Sequence, residues 1–199
     1  MSGAGRRTVE AYEDHAVDYA EVTRDGHPET RRALRRFLCE VGPGARVLEV
    51  ASGPGWDADA LEAGGVSVER TDLSDGFIAF QRGRGKTVTK LDLVDDDLGG
   101  PWAGLVALYV LQHMERDAMD GVVGRLAAAL HPGAVLLTSF QEGEGQREET
   151  GADGGTYRVV KWRPRAMLDL MAVRGLDVVW SRSFQGSEAR WTILIARRS

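Results

Sequence analysis

The stretch VLEVASGPGWDADAL, Val47 to Leu61, is an apolar run that ends in an acid, then a loop of small residues, then a helical pattern. Gly53 and Gly55 stand where a strand must turn sharply into a helix, a turn that brings bare backbone close to whatever lies against it. Gly53-Pro54-Gly55-Trp56-Asp57-Ala58 satisfies G-x-G-x-x-A, one form of the dinucleotide fingerprint. Asp72 follows 19 residues after Gly53, at the end of the next strand-like run, where a carboxylate can accept ribose hydroxyls. The loop alone does not choose between a pyrophosphate, another nucleoside and a neighbouring piece of chain.

Outward from that loop, strand-like and helix-like segments alternate. Two helices, Thr8 to Thr23 and Pro28 to Val41, come first, the second stopped by Gly42-Pro43-Gly44. Strands are expected at Arg46 to Ala51, Val66 to Thr71, Thr87 to Leu91, Leu105 to Leu111 and Ala134 to Phe140. Helices are expected at Asp57 to Glu62, Ser74 to Gln81, Arg116 to Leu130 and Arg165 to Arg174. Leu176 to Phe184 and Trp191 to Ala196, joined across Gln185-Gly186-Ser187, read as an antiparallel terminal pair. Gln141 to Gly155 lacks apolar periodicity and reads as a long polar loop, a candidate lid. The pattern predicts an α/β, Rossmann-like fold: a seven-stranded, mostly parallel sheet with an antiparallel terminal strand pair and helices on both faces. Ligands of such sheets bind at the carboxyl ends of the strands, where strand order reverses, and the glycine loop lies there.

The 199 residues suit one domain, read as 1–199 with 1–44 as an N-terminal helical cover. Acid and base are mixed along a chain of net charge −5, and the arginines at 31, 32, 35 and 36 have the spacing of the wet side of an amphipathic helix. No nucleic-acid partner is expected from that balance. No run approaches the ~20 apolar residues of a membrane span, and the first fifteen residues have no apolar core of a secretory signal, so no membrane partner and a cytoplasmic location are expected. The one cysteine, Cys39, reads as a buried thiol in a reducing compartment. Asp95, Asp96 and Asp97 read as a solvated turn, and no metal site is evident.

Three observations weigh against a nicotinamide cofactor, one being that the paired terminal strands have no place in a simple dinucleotide fold. Glu49 before the loop sits badly with a pyrophosphate and well with a cationic amine or sulfonium. Some 45 residues of helical pattern also precede the first strand, where dehydrogenases usually start. Tyr157 and Lys161 mimic the Tyr-x-x-x-Lys pair of short-chain oxidoreductases, but Tyr157 to Trp162 alternates as an extended segment, and that pair needs a helix to share a face.

VLEVASGPGWDADAL resembles motif I of class I S-adenosylmethionine-dependent methyltransferases of the small-molecule type, with Ala51 in place of the first glycine. RTDLSDGFI resembles their second motif, KLDL their adenine loop, PWAGLVALYVLQHM their fourth strand and its exit, and LHPGAVLLTSF the lead into strand five. YEDHAVDY resembles their N-terminal cover helix. The departures are Ala51, which suggests a tighter site, Trp102-Ala103 in place of Phe-Asp, and Ala134 in place of the second glycine of the strand-five lead.

The resemblance implies S-adenosyl-L-methionine as cofactor and transfer of a methyl group to an oxygen or nitrogen of a small molecule. It implies a cofactor set of Tyr19, Glu49, Ala51, Ser52, Gly53, Gly55, Asp72, Leu73, Asp92, Leu93 and Tyr109. Asp72 would bind the ribose, Asp92 the adenine amine, and Leu73 and Leu93 the ring faces. Tyr12, Trp56 and Trp162 are candidate walls of the acceptor pocket; core packing is the other reading of Tyr12 and Trp162, and Trp56 is the exception because it follows directly on the glycine loop. His113 is the candidate general base, at the rim after the fourth strand; its other reading is a partner for backbone or the methionyl carboxylate. The competing functions are a donor-binding protein without transfer activity and a short-chain NAD(P)-dependent oxidoreductase. Acceptor identity and oligomeric state are not legible.

Overall fold

The computed structural model describes residues 3–150 and 154–199. In chain order the elements are α1 (Gly3–Asp14), α2 (Ala16–Thr23), α3 (Pro28–Val41), β1 (Arg46–Glu49), α4 (Trp56–Ala63), β2 (Ser67–Asp72), α5 (Asp75–Gly83), β3 (Thr89–Lys90) and β4 (Trp102–Ala107). After a short 3-10 turn (Leu111–His113) come α6 (Met119–Ala129), β5 (Leu130–Gln141), β6 (Gln146–Thr150), β7 (Thr156–Val160), α7 (Pro164–Val173), β8 (Leu176–Gln185) and β9 (Arg190–Arg198).

Seven strands form one sheet in the order β3-β2-β1-β4-β5-β9-β8. The pairs from β3 to β5 are parallel, whereas β5–β9 and β8–β9 are antiparallel. This is the doubly wound sheet with a terminal antiparallel pair that the alternation of patterns predicts. Its order reverses between β1 and β4, so the loop after β1 opens onto the crevice where such sheets take ligands.

Both faces are covered because successive residues of the central strand serve different cores. Leu105 and Ala107 pack with Met119, Leu126, Met167 and Met171 under α6 and α7. Val106 and Leu108 pack with Ala33, Leu34 and Phe37 of α3 and with Leu61 of α4. A strand buried on both sides reads as a continuous apolar run; the run from Leu105 to Leu111 supplies β4 as far as Ala107 and continues through the following loop to the 3-10 turn. Pro28 opens α3 in the first turn, and the His27 ring nitrogen accepts from the Glu29 N–H at 3.1 Å to cap it.

Four expectations need correction. Thr8 to Thr23 is two helices, α1 ending at Asp14 and α2 beginning at Ala16, with the non-helical backbone of His15, φ −115° and ψ 15°, between them. Cys39 is exposed rather than buried: Ala33, Leu34 and Phe37 already fill the inward face of α3. The third strand is only Thr89–Lys90. The segment Gln141 to Gly155 is no loop throughout: Gln146–Thr150 pairs antiparallel with Thr156–Val160 as a separate hairpin, and residues 151–153 lie outside the described ones. Strand β6 reads QREET, without one apolar side chain, so it carries no periodic signal of its own.

Candidate functional site

The site begins with the backbone of the glycine loop. Gly53 and Gly55 have φ of 54° and 83°, and Gly55 ends the loop as the N-cap of α4. A Cβ on Gly55 would stand 2.7 Å from the Arg70 guanidinium and from the Gln81 side-chain carbon, so neither the conformation nor the space admits a side chain. Ala51 also has positive φ, 52°, in the position where the resembled motif has glycine. A left-handed residue with a Cβ is strained by roughly 1–2 kcal/mol, which identifies what that glycine is for.

The loop is braced from behind. Gln81 Nε2 donates to the Gly53 carbonyl at 2.8 Å and to Ser52 Oγ at 3.2 Å. The Arg70 side chain, 2% exposed, donates to the Gly55 carbonyl at 3.3 Å and is paired with Asp59 at 2.7 Å and Glu62 at 2.8 Å. Arg84 pairs with Asp59 and Lys86 with both acids, so these cations are neutralised within the fold. Neither Arg70 nor Gln81 stands out in the sequence, since each lies in an ordinary amphipathic pattern.

At the tip of β2, the Asp72 carboxylate accepts from the Gly53 N–H at 2.7 Å and from the Ser74 N–H at 2.9 Å. Burial raises its pKa to about 6, against the lowering effect of those N–H donors. Loop and acid together form the floor of a cavity of about 1100 Å³, which extends under α1 and α2 to the β8–β9 turn.

Most of the sequence-predicted residues converge there. Ala51, Ser52, Gly53, Asp72, Leu73, Asp92, Leu93, Tyr19 and Tyr109 line the cavity, as do Tyr12, Trp56 and His113. Asp92 Oδ1 accepts from the Val94 N–H at 2.8 Å, while Asp96 and Asp97 accept backbone N–H groups of their own turn. Trp56 Nε1 donates to the Ala20 carbonyl at 3.1 Å, tying α4 to the cover helix, and the Arg84 guanidinium lies 4.1 Å from its ring centre.

Three residues stand elsewhere. Glu49 does not line the cavity: it is 3% exposed behind the loop and accepts the Ser52 hydroxyl. Desolvation, with Asp57 adding repulsion, raises its pKa to about 8, so the side chain is mostly protonated at neutral pH. Gly55 faces Arg70 and Gln81 rather than the cavity. Trp162 packs into the core beside α7, with the Arg116 guanidinium 4.3 Å from its ring centre, and is no pocket wall.

At the rim, β4 runs out into Tyr109, whose φ of 52° is costly for so large a residue. The conformation is held by the Ser139 hydroxyl, which accepts from the Tyr109 N–H at 2.8 Å, and by a 2.5 Å contact between the phenol and Thr30 Oγ1. Trp191 stands edge-on to its ring with centroids 5.0 Å apart.

His113 follows one turn later. Its Nδ1 lies 2.8 Å from the Arg158 carbonyl, which can only accept, so the proton of the neutral ring sits on Nδ1. Nε2 is then an acceptor, and the Tyr12 hydroxyl donates to it at 2.9 Å, with Gln112 Nε2 at 3.0 Å. Desolvation lowers the ring's pKa to about 4 despite the carbonyl, so His113 is neutral at pH 7. The Arg158 carbonyl and the Tyr157 ring, stacked on Tyr12 at 4.2 Å, come from the β6–β7 hairpin, which sequence reasoning missed. The extended alternation of Tyr157 to Trp162 was the one signal for it.

That segment also disposes of the oxidoreductase pair. Tyr157 lies on strand β7 against Tyr12, and Lys161 follows the end of that strand, its Nζ 3.4 Å from Glu149, so no helix brings the two to one face.

The magnesium protoporphyrin IX methyltransferase of Synechocystis PCC 6803, solved with bound S-adenosylmethionine, superimposes on all of this chain and 99% of its own, with a TM-score of 0.80 at 15% identity. The 1,6-didemethyltoxoflavin-N1-methyltransferase of Burkholderia thailandensis, solved with bound 1,6-didemethyltoxoflavin and S-adenosylhomocysteine, matches all of this chain and 92% of its own, with a TM-score of 0.72 at 19% identity. The fold is that of the S-adenosylmethionine-dependent methyltransferases. No family model matches the chain. An 85-residue stretch is 38% identical to peptide chain release factor 1 of Mycobacterium leprae, covering 43% of this chain and 22% of the curated relative's length. The methyltransferase fold thus accounts for the whole chain, where the release-factor likeness touches less than half of it.

Proposed function

We propose that the protein is an S-adenosylmethionine-dependent methyltransferase acting on an oxygen or nitrogen of a small molecule, with residues 1–199 as one catalytic domain and 1–44 as its cover. The observation that carries the reading is the join of Gly53 and Asp72 at the floor of the cavity: a carboxylate oriented by two backbone N–H groups, beside a loop whose Gly53 holds a φ of 54°. Asp72 receives the ribose hydroxyls, Asp92 and Leu93 the adenine, and the loop from Ala51 to Gly53 the remainder of the donor. The solved neighbours, with their bound donor or its product, support that choice of cofactor.

The donor brings its own leaving group, so the fold's task is to hold methyl, sulfur and nucleophile in line and to exclude water. The Tyr12 hydroxyl and His113 Nε2 stand at the rim as the route for a departing proton. A ring held at about 4 is a weak base, which suits an acceptor whose own O–H or N–H is acidic. A cavity largely bounded by apolar and aromatic side chains supports a small-molecule acceptor over a polymer. The protein would act in the cytoplasm.

Calorimetry with S-adenosylhomocysteine and with NADH, followed by a screen for transfer of labelled methyl, tests the proposal. Micromolar binding of the homocysteine nucleoside with transfer to at least one acceptor is the expected result. Binding without transfer on any acceptor leaves a donor-binding protein, and NADH in its place refutes the reading.

A further inference from the structure

Three carboxylates gather around the glycine loop, and two of them are satisfied. Glu49 accepts the Ser52 hydroxyl, and Asp72 accepts two backbone N–H groups. Asp57, the second residue of α4, has no hydrogen bond or ion pair among the described residues, although the surrounding protein desolvates it enough to raise its pKa to about 6. Its accessible surface faces the cavity. It shares the cavity lining with Tyr109, and its charge raises the pKa of both the Tyr109 phenol and Glu49.

The start of a helix stabilises an acid, yet that accounts for only part of what Asp57 lacks. Asp59, in the same turn, is met by Arg70, Arg84 and Lys86, and those cations are committed to it and to Glu62. The cavity side of the turn therefore carries a desolvated anion whose lone pairs are turned to the ligand space. Tyr109 and Trp191 line the same cavity and add aromatic surface, which attracts cations.

We infer that Asp57 is the anchor for a primary ammonium group, held at the Tyr109 end of the cavity by charge-assisted hydrogen bonds. The inference rests on the methyl-donor reading and adds to it a residue outside the resembled cofactor set. An ammonium can come from the amino-acid end of the donor or from an amine acceptor, and the chemistry at Asp57 is the same.

The test compares wild type with Asp57→Asn at pH 7.5 by calorimetry. The probes are S-adenosylhomocysteine, 5′-methylthioadenosine, which lacks the amino-acid end, and 2-phenylethylamine added to the nucleoside-bound protein. If the donor supplies the ammonium, the substitution weakens the homocysteine nucleoside about 10- to 100-fold and leaves methylthioadenosine within about twofold. If the acceptor supplies it, both nucleosides bind unchanged and only the amine is lost. Unchanged methylthioadenosine binding also certifies that the variant is folded. Equal weakening of both nucleosides, or no change with any probe, overturns the inference. Wild-type protein that binds neither nucleoside overturns the methyl-donor reading first.

Discussion

The Gly53 N–H and the Asp72 carboxylate, 19 residues apart in the chain, meet at 2.7 Å and join the first two strands at the mouth of the crevice. One oxygen of Asp72 thereby serves the loop and the other the Ser74 N–H, which fixes the plane of the carboxylate. Asp72→Ala removes both anchors. Donor affinity should fall about 100-fold or more, the loss of two hydrogen bonds to a charged group, and the thermal midpoint should fall as well. Asp72→Asn separates the effects, since it keeps the loop contacts in part and loses the charge. Calorimetry that finds Asp72→Ala binding the donor as wild type does removes the acid from the site.

The same carboxylate sets a pH dependence. Its folded pKa is raised to about 6 from an ordinary 3.8, so below about 6 it is protonated and loses half its capacity to accept. Donor affinity should be flat above pH 7 and fall roughly tenfold per unit below 6. At saturating donor that loss disappears, and His113, neutral down to about 4, adds none of its own above pH 5. A kcat that falls with kcat/KM between pH 7 and 5 contradicts this division.

How far these relationships were legible depends on whether one element or several make them. The β1 loop, the acid at the tip of β2 and Asp92-Leu93 after β3 are each local patterns at the end of a strand, and these positions line the cavity. Glu49 and Asp57 show the limit: eight residues apart in one motif, both acidic, they are distinguished only by which side of the loop each faces, and no spacing rule states that. The β6–β7 hairpin was invisible because β6 buries almost nothing, so its pairing leaves no apolar trace. Cys39 was misplaced for the converse reason, since a helix in which arginine pairs alternate with apolar residues leaves the width of its buried face open.

His113 and Tyr12 make a pair that only tertiary structure shows, 101 residues apart. His113→Gln should lower kcat about 100-fold or more while S-adenosylhomocysteine binds within about threefold, as expected for a group that acts on the acceptor's proton. Tyr12→Phe should reproduce part of the loss if the phenol carries that proton to Nε2. The ring also makes the fold sensitive to acid. A histidine whose pKa is lowered on folding, from 6.5 to about 4, leaves stability intact above 6.5 and removes it progressively as pH falls toward 4. A kcat unaffected by His113→Gln assigns the residue to scaffolding.

Glu49 has the opposite sign. Its pKa is raised on folding from 4.5 to about 8, so its contribution is complete below 4.5 and is lost as pH rises through 8, where a charge must be carried in the interior. Glu49→Gln keeps an oxygen to accept the Ser52 hydroxyl and removes the ionisation. The variant should match wild type near pH 5 and exceed it by about 2 kcal/mol at pH 9 in urea unfolding. Equal curves at both pH values show that the buried acid finds a counter-charge.

Ala51 and Gly55 frame the last prediction, because the loop holds both residues at positive φ with opposite chemistry. Ala51, at 52°, carries a Cβ where none is favoured, and Ala51→Gly releases that strain while adding freedom to the unfolded chain. The net should be a gain of up to about 1 kcal/mol in stability. Gly55→Ala runs the other way: the new Cβ meets Gln81 and Arg70, the two side chains that brace the loop. It should cost about 2 kcal/mol or more and weaken donor binding in step, since displacing Arg70 exposes Asp59 and Glu62 without their buried partner. Thermal melts of the two variants, read beside calorimetry with S-adenosylhomocysteine, check both directions. Destabilisation by Ala51→Gly, or tolerance of Gly55→Ala, shows that the loop relaxes and that its backbone is not what shapes the donor site.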